Sequence, residues 1–588
     1  MKNVFCIVVD AMSASYLYDE YNTTPFINKL AEKSQTCSNM FSQGPYTEAA
    51  LTPMYTGRDN MDFGGNFFRG NEAGKTIFEA FSENGYDVLN YTQPLIYPKT
   101  MHRGINQERY GVAYFFSAVY DYRISYYTPL YNNGELTEKD YNRLYELLDS
   151  NFEFWLKYLN DCQSKEPVAE FINLYGDKNY DFAKNIARVE EEYKNYLADK
   201  KAYLHSLFEL GSAHPVFSIE KYDMASKADN EQLYSEIGQK YKDFFKKLEK
   251  FNKLHNKGTE HDFIHTSISA LKHIFKGKPG MIYDELKKFR YYLRFCDTEK
   301  CINELFEKKS NYKPEPTFLK YFSHFEQWHR TRENENPFFC LMHVSDLHIP
   351  EIFFSIDSES IEEVDEELRI MSDYLDSLPK KFDGNVIYNL SMRYVDLCLE
   401  KIHNNLQKMN LLEDTLMIVT ADHGSSFRYS PIRESVVNNN YIENYSIPCI
   451  LYNEAKISPR KDVNYYTTKD LIKTMARVAN VDADDFTGIS MLEESDRNDF
   501  AIVEYLGGGC PDINRRPLWM IIRNDHWTVG IRQRVDTPFD ESNIVCIYDR
   551  IADPREQNNL CGKISIKEIE YLHNALKNRF ECICKQNY

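Results

Sequence analysis

No apolar run in this 588-residue chain approaches the ~18 residues that span a bilayer, so a transmembrane segment is not expected. The apolar start, Phe5-Cys-Ile-Val-Val9, is short, has only Lys2 as a basic residue before it, and runs straight into Asp10. A secretory signal needs a longer apolar stretch and a cleavage site, so this segment reads as a buried first strand. Excess positive charge is missing too: 70 Lys and Arg against 89 Asp and Glu leave a net −19, which argues against a nucleic-acid partner. Paired cysteines are also lacking. The 13 Cys are odd in number and scattered, and Cys582-Ile-Cys584 is too short for a CxxC. They read as reduced thiols, and a cytoplasmic location is the expectation. What is present is ordinary for a globular protein, 43% hydrophobic and 27% charged, which excludes global disorder.

Residues 1–117 alternate strand and helix signals. Phe5–Val9 is continuously apolar, as in a parallel sheet covered on both faces. Thr24-Pro-Phe-Ile-Asn-Lys-Leu-Ala31 opens with an N-cap Thr and Pro at the first helical position. Lys75–Asn84 reads as a helix closed by Gly85, and Tyr86–Tyr91 as the next strand. From about 118 to 335 Gly and Pro thin out and Tyr, Lys, Glu and Phe dominate. Phe182, Ile186, Val189, Tyr193 and Tyr196 share one helical face, as do Tyr241, Phe244, Phe245, Leu248 and Phe251. These stripes read as helical core rather than ligand-stacking surfaces. The α/β pattern resumes at Pro337–Val344 and continues to 499. Within it, 351–385 is acidic and reads as a loop or short-helix excursion, and Val386–Met409 as a helix leading to the strand Thr415–Thr420. Residues 500–588 alternate short strands before a final helix near Ile566–Phe580. The expected organisation is a core in two parts (1–117 and 336–499), a helical insertion (118–335) forming a cap, and a C-terminal subdomain (500–588).

In α/β sheets functional groups gather at the carboxyl ends of strands. Three candidate sites fall there: Asp10, then Asp346 with His348, then Asp422 with His423. A fourth feature is the turn Gly44-Pro45-Tyr46 leading into Thr47-Glu-Ala-Ala-Leu-Thr-Pro-Met-Tyr-Thr-Gly-Arg58. Thr47 reads either as a plain helix N-cap or as a reactive hydroxyl at a helix N-terminus. Pro53 is expected to break or restart that helix. Asp and His with a threonine oxygen suit one divalent metal ion (Mn, Mg, Ca or Zn).

These motifs together resemble the sulfatase-like branch of the alkaline phosphatase superfamily. In that branch a Cys or Ser, oxidised to formylglycine, stands nine residues before the Thr of a Thr-Gly-Arg motif; here that position is Thr47. Met101-His-Arg-Gly-Ile-Asn-Gln-Glu-Arg-Tyr-Gly111, Val344-Ser-Asp-Leu-His-Ile-Pro350, Tyr394 to Gly424, and Ile547 to Leu560 are similar to further family segments. The resemblance implies a three-layer α/β sandwich with a large helical insertion and a smaller C-terminal α+β subdomain. It implies metal ligation by Asp10, Thr47, Asp422 and His423, with Ala11 standing where the family often has a second Asp. Asp346, Arg58 and Arg103 become candidate substrate contacts, Arg58 being alternatively a structural ion-pair partner. His348 would protonate the leaving oxygen or activate the acceptor.

Threonine cannot give formylglycine, but a threonine oxygen on a metal is a competent nucleophile toward phosphorus. Such threonines are what lipoteichoic-acid-synthase-type phosphoglycerol transferases and phosphoethanolamine transferases look like. The expectation is therefore a metal-dependent hydrolase or transferase acting on a small-molecule or glycan phosphate ester, a phosphodiester or a phospho-polyol or sugar group. The alternatives are a sulfuric ester hydrolase without formylglycine and a non-catalytic binding module on a decayed sulfatase fold.

Overall fold

The computed structural model describes residues 1–65, 74–92, 99–110, 116, 120, 124–164, 181–219, 243–244, 246–248, 318–347, 361–379, 382, 385–425, 442–493, 498–506, 517–554 and 556–586. Eight strands form the main sheet: β1 (Asn3–Val9), β2 (Gln35–Phe41), β3 (Asp87–Thr92), β4 (Gln107–Tyr110), β5 (Phe338–Val344), β6 (Thr415–Thr420), β7 (Cys449–Tyr452) and β8 (Arg460–Thr467). Their order is β4-β3-β5-β1-β6-β7-β2-β8. β7 runs antiparallel to both of its neighbours, and the remaining pairs are parallel. β1, β5 and β6 are apolar runs apart from Asn3, His343, Thr415 and Thr420, because both faces of the sheet are covered.

Two helix layers provide that cover. Phe5 on β1 meets Phe325 of the helix Phe318–Thr331 with ring centroids 4.8 Å apart. Phe339, level with Val4 and therefore on the opposite face, stacks at 4.3 Å on Phe81 of α3 (Ile77–Glu83). α1 (Pro25–Glu32) and the helix Phe318–Thr331 pack on the long helix Val386–Lys408, whereas α2 (Thr47–Thr56) and α3 pack with Thr468–Val478. A helix Ile361–Ser377 crosses the segment expected to be largely irregular. Leu368, Met371, Leu375 and Leu378 recur there at steps of three and four amid the acids, and they are buried with Phe244 and Leu248.

Thr24 occupies the N-cap of α1 as expected, yet its hydroxyl donates to the Tyr16 carbonyl at 2.8 Å. The first free N–H groups, of Phe26 and Ile27, go instead to the Asp396 carboxylate at 3.1 and 2.8 Å. α2 likewise departs from expectation by running unbroken through Pro53 to Thr56. It ends at Gly57, whose φ is 61° and where a Cβ would press within 2.9 Å of the Phe486 ring.

A separate apolar cluster joins the helices Ser125–Asn132, Glu138–Ser164, Phe182–Ala198 and Lys200–Leu210, with Trp155, Val189 and Tyr196 fully buried. Most of the second aromatic stripe, Tyr241, Phe245 and Phe251, lies outside the described residues. A second sheet, antiparallel in the order β12-β11-β10-β9, is built from β9 (Ala501–Leu506), β10 (Leu518–Arg523), β11 (Trp527–Gln533) and β12 (Ile544–Asp549). The terminal helix Glu570–Cys584 packs its Leu572, Leu576, Phe580 and Ile583 with this sheet's apolar residues.

Candidate active site

β5, β1 and β6 lie side by side at the centre of the main sheet, so the residues at their carboxyl ends converge. The Asp10 N–H donates to the Val344 carbonyl at 2.8 Å, which ties the end of β1 to β5. The chain then turns at Ala11, whose φ is 64°. Ala11 N–H donates to Asp422 Oδ1 at 3.2 Å, and the same oxygen accepts the His423 N–H at 2.7 Å. Gly424 follows, where a Cβ would meet the Glu443 carbonyl oxygen at 1.8 Å. Only a residue without a side chain lets the backbone approach this closely.

Asp10, Thr47, Asp422 and His423, the four positions named from sequence as metal ligands, are brought together and buried. Thr47 is the first residue of α2, after the N-cap Tyr46. Its Oγ1 stands 3.5 Å from Asp10 Oδ2 and 3.4 Å from His423 Nε2. His423 Nε2 is 3.3 Å from Asp10 Oδ1 and 3.6 Å from Asp422 Oδ2. The ring's other nitrogen, Nδ1, lies 2.7 Å from the Gly424 carbonyl, which can only accept. That contact puts the N–H on Nδ1 and aims Nε2 at the cluster.

A fifth member was not read from the sequence. His343, inside β5, places Nε2 at 3.4 Å from Asp422 Oδ2 and 3.7 Å from Asp10 Oδ2. One ligand atom each from Asp10, His343 and Asp422 falls within 4.8 Å of the others. The available signal was a lone imidazole in an otherwise apolar strand, one residue short of its end. Burial alone would lower the pKa of His423, but Asp422 first and then Asp10 outweigh it, pushing His423 up to about 9. The same carboxylates raise His343 against its burial. Two buried carboxylates thus demand positive charge at this point, from protons on the imidazoles or from a cation. The spacings of 3.3 to 3.7 Å are wider than charge-assisted hydrogen bonds. The 3.3 and 3.4 Å spacings fall within the edges of a coordination polyhedron, about 3.0 to 3.4 Å for bonds of ~2.1 Å, and the 3.6 and 3.7 Å spacings lie a little beyond them. The residues present therefore fit a divalent metal.

Arg58 and Arg103, also named from sequence, are paired with other groups. Arg58 follows Gly57 at the far end of α2, a ten-residue helix ~15 Å long, and donates to the Asp485 carbonyl at 3.1 Å. Arg103 is half exposed and grips Glu79 at 2.7 Å. Asp346 is buried after β5; burial, Cys398 and then Asp346 hold the Tyr394 hydroxyl well above its usual range. His348 lies outside the described residues.

A sheet carrying these groups at its carboxyl edge, with a hydroxyl residue at a helix N-terminus facing them, defines an α/β architecture with a candidate catalytic centre. The chain belongs to the Sulfatase family, whose model matches residues 2–323 and 294–481. That family consists of metal-dependent enzymes and points to hydrolytic chemistry. Among solved structures, the chain is similar to a Bacteroides thetaiotaomicron protein reported under the metabolism of multiple glycosaminoglycans, at 12% identity over 100% of this chain and 97% of that one, with a TM-score of 0.50. It is also similar to the phosphonate monoester hydrolase of Agrobacterium radiobacter, at 11% identity over 99% and 96%, with a TM-score of 0.49. At 12% identity the first likeness is one of fold. No curated protein matches the chain by sequence. Among the described residues no helix is long and apolar enough to cross a membrane.

Proposed function

We propose that the protein is a metal-dependent phosphoryl hydrolase or transferase in which Thr47 is the nucleophile. The observation that carries this reading is the position of Thr47 Oγ1, at the start of α2 and within 3.5 Å of both Asp10 and His423. Asp10, Thr47, Asp422 and His423 would hold one divalent ion. When bound, such an ion lowers the pKa of a coordinated hydroxyl and offsets charge on the phosphoryl oxygens.

The chain's own groups do the rest. The α2 N-terminus offers backbone N–H groups and a positive dipole end to an anionic substrate. Thr47 Oγ1, its proton released to solvent, attacks phosphorus in line, forming one P–O bond as the bond to the leaving oxygen breaks. His348 supplies the proton to that leaving oxygen, and the threonine ester then passes its phosphoryl group to water or an alcohol. Asp346, Arg58 and Arg103 remain candidate contacts for the more distant parts of a substrate. The helical insertion would wall the cleft and choose the substrate, as long insertions in α/β enzymes do.

Family membership also favours a second reading, cleavage of sulfate esters without formylglycine. A screen of aryl phosphate diesters, phosphate monoesters and sulfates separates the two, run on the wild type and Thr47→Val. Phosphate-ester turnover that disappears in Thr47→Val supports the proposal. Sulfate turnover alone, or phosphate turnover indifferent to position 47, overturns it.

A further inference from the structure

We propose that His343 is itself a ligand of the catalytic cation, which makes the site rich in nitrogen and biases it toward zinc-like metals over calcium. This rests on the reading of the cluster as a metal centre and adds to it a residue and a selectivity. His343 has no exposed surface, and its Nε2 is directed at Asp10 Oδ2 and Asp422 Oδ2, 3.7 and 3.4 Å away. Both separations lie beyond a charge-assisted hydrogen bond; the 3.4 Å one is that of two atoms sharing one ion, and the 3.7 Å one is slightly longer. The opposite nitrogen supports the same orientation. Nδ1 is 3.3 Å from Oγ1 of Thr92, at the end of the neighbouring strand β3, where Tyr91 pairs with Met342. With the N–H on Nδ1 donating to the Thr92 hydroxyl, the Nε2 lone pair faces two carboxylates. That arrangement is repulsive until a cation occupies the space between them.

The competing role for His343 is that of a protonated counter-charge, with its N–H toward Asp422. The two roles have opposite consequences for metal affinity. Removing an imidazolium takes away a positive charge beside the site and strengthens cation binding; removing a ligand weakens it. Two imidazoles with two carboxylates and a hydroxyl also form a borderline donor set, which suits Zn²⁺ or Mn²⁺ better than Ca²⁺. Ala11, directly after Asp10, brings no side-chain donor, so the third strand contributes through His343 instead.

The test is zinc binding by the full-length protein, read by competition with a chromophoric chelator and by zinc K-edge X-ray absorption. The wild type should show two imidazoles on zinc, and His343→Gln one. Zinc affinity should fall at least ~10-fold in His343→Gln, and calcium affinity should change less. Thr92→Val keeps the ligand but removes its orienting hydroxyl, and should weaken zinc ~10-fold. Should His343→Gln fail to fold, the imidazole count of the wild type and the Thr92→Val titration carry the test. Unchanged or tighter zinc binding by His343→Gln, or a single imidazole in the wild type, overturns the assignment and leaves the metal centre standing. A wild type that binds no divalent ion overturns the metal-centre reading itself, and this ligand with it.

Discussion

Asn60 supplies the hydrogen bond that Pro53 withholds. Pro53 has no N–H to give the Ala49 carbonyl four residues back, and Asn60 Nδ2 donates to that carbonyl at 2.7 Å from outside the helix. α2 therefore continues through its proline, and Thr47 keeps its place at the N-terminus. Asn60→Ala leaves a buried carbonyl unsatisfied and should cost about 1–3 kcal/mol in urea unfolding. In a Pro53→Ala background the backbone N–H returns, and the cost of Asn60→Ala should shrink. Equal costs in the two backgrounds would show that the pair is not coupled.

Thr47→Val keeps the shape of the side chain and removes its oxygen. Turnover should fall by at least ~10³-fold with the fold intact, while Thr47→Ser should retain measurable activity. Phospho-threonine at position 47 should appear by mass spectrometry in the absence of acceptor. Wild-type rates in Thr47→Val would require a different nucleophile.

Asp422→Ala removes a proposed ligand and also strands the N–H groups of Ala11 and His423. Metal content after gel filtration should drop at least ~100-fold, and chelator treatment of the wild type should abolish activity and lower its Tm. Equal metal content in the two proteins would refute the ligand assignment.

Burial pushes the Asp396 carboxyl up to about 6, against the N–H donors of Ile27 and Phe26 and the charge of Arg393, which pull it down. A carboxyl raised on folding stabilises most below its unfolded pKa, near 4, and that contribution is lost as pH rises through about 6. The shift corresponds to about 3 kcal/mol. Unfolding free energies of the wild type and Asp396→Asn, measured from pH 4 to 7, should diverge by roughly that amount, with the variant gaining relative stability as pH rises. Parallel pH profiles would remove Asp396 as the source.

Arg523 and Glu556 form a buried ion pair at 2.8 Å, and Thr528 donates to the same carboxylate at 2.6 Å. Arg523 also lies 5.4 Å from the centre of the Phe41 ring, linking the second sheet to the main one. Glu556→Ala leaves the guanidinium buried without its partner and should cost about 3–5 kcal/mol by chemical unfolding. A loss below about 1 kcal/mol would mean that water replaces the carboxylate.

The chain's sequence by itself determined the parallel core and four of the clustered residues, because both are written in local patterns. Continuous apolar runs dictate strands covered on two faces, and acids placed just after those runs fall at one edge of the sheet. Asp10, Asp422 and His423 were legible on that ground, and Thr47 from the resemblance to the sulfatase-like branch, whose nucleophile stands at this offset from Thr56-Gly57-Arg58. Only the tertiary structure decided what depends on partners distant in sequence. Asp396 caps α1 across hundreds of residues, Asn60 repairs α2, and the amphipathic helix Ile361–Ser377 takes shape against Phe244 and Leu248. His343 was hidden for the same reason. A histidine inside an apolar strand reads as core until strand order sets β5 beside β1 and brings its ring to Asp10 and Asp422.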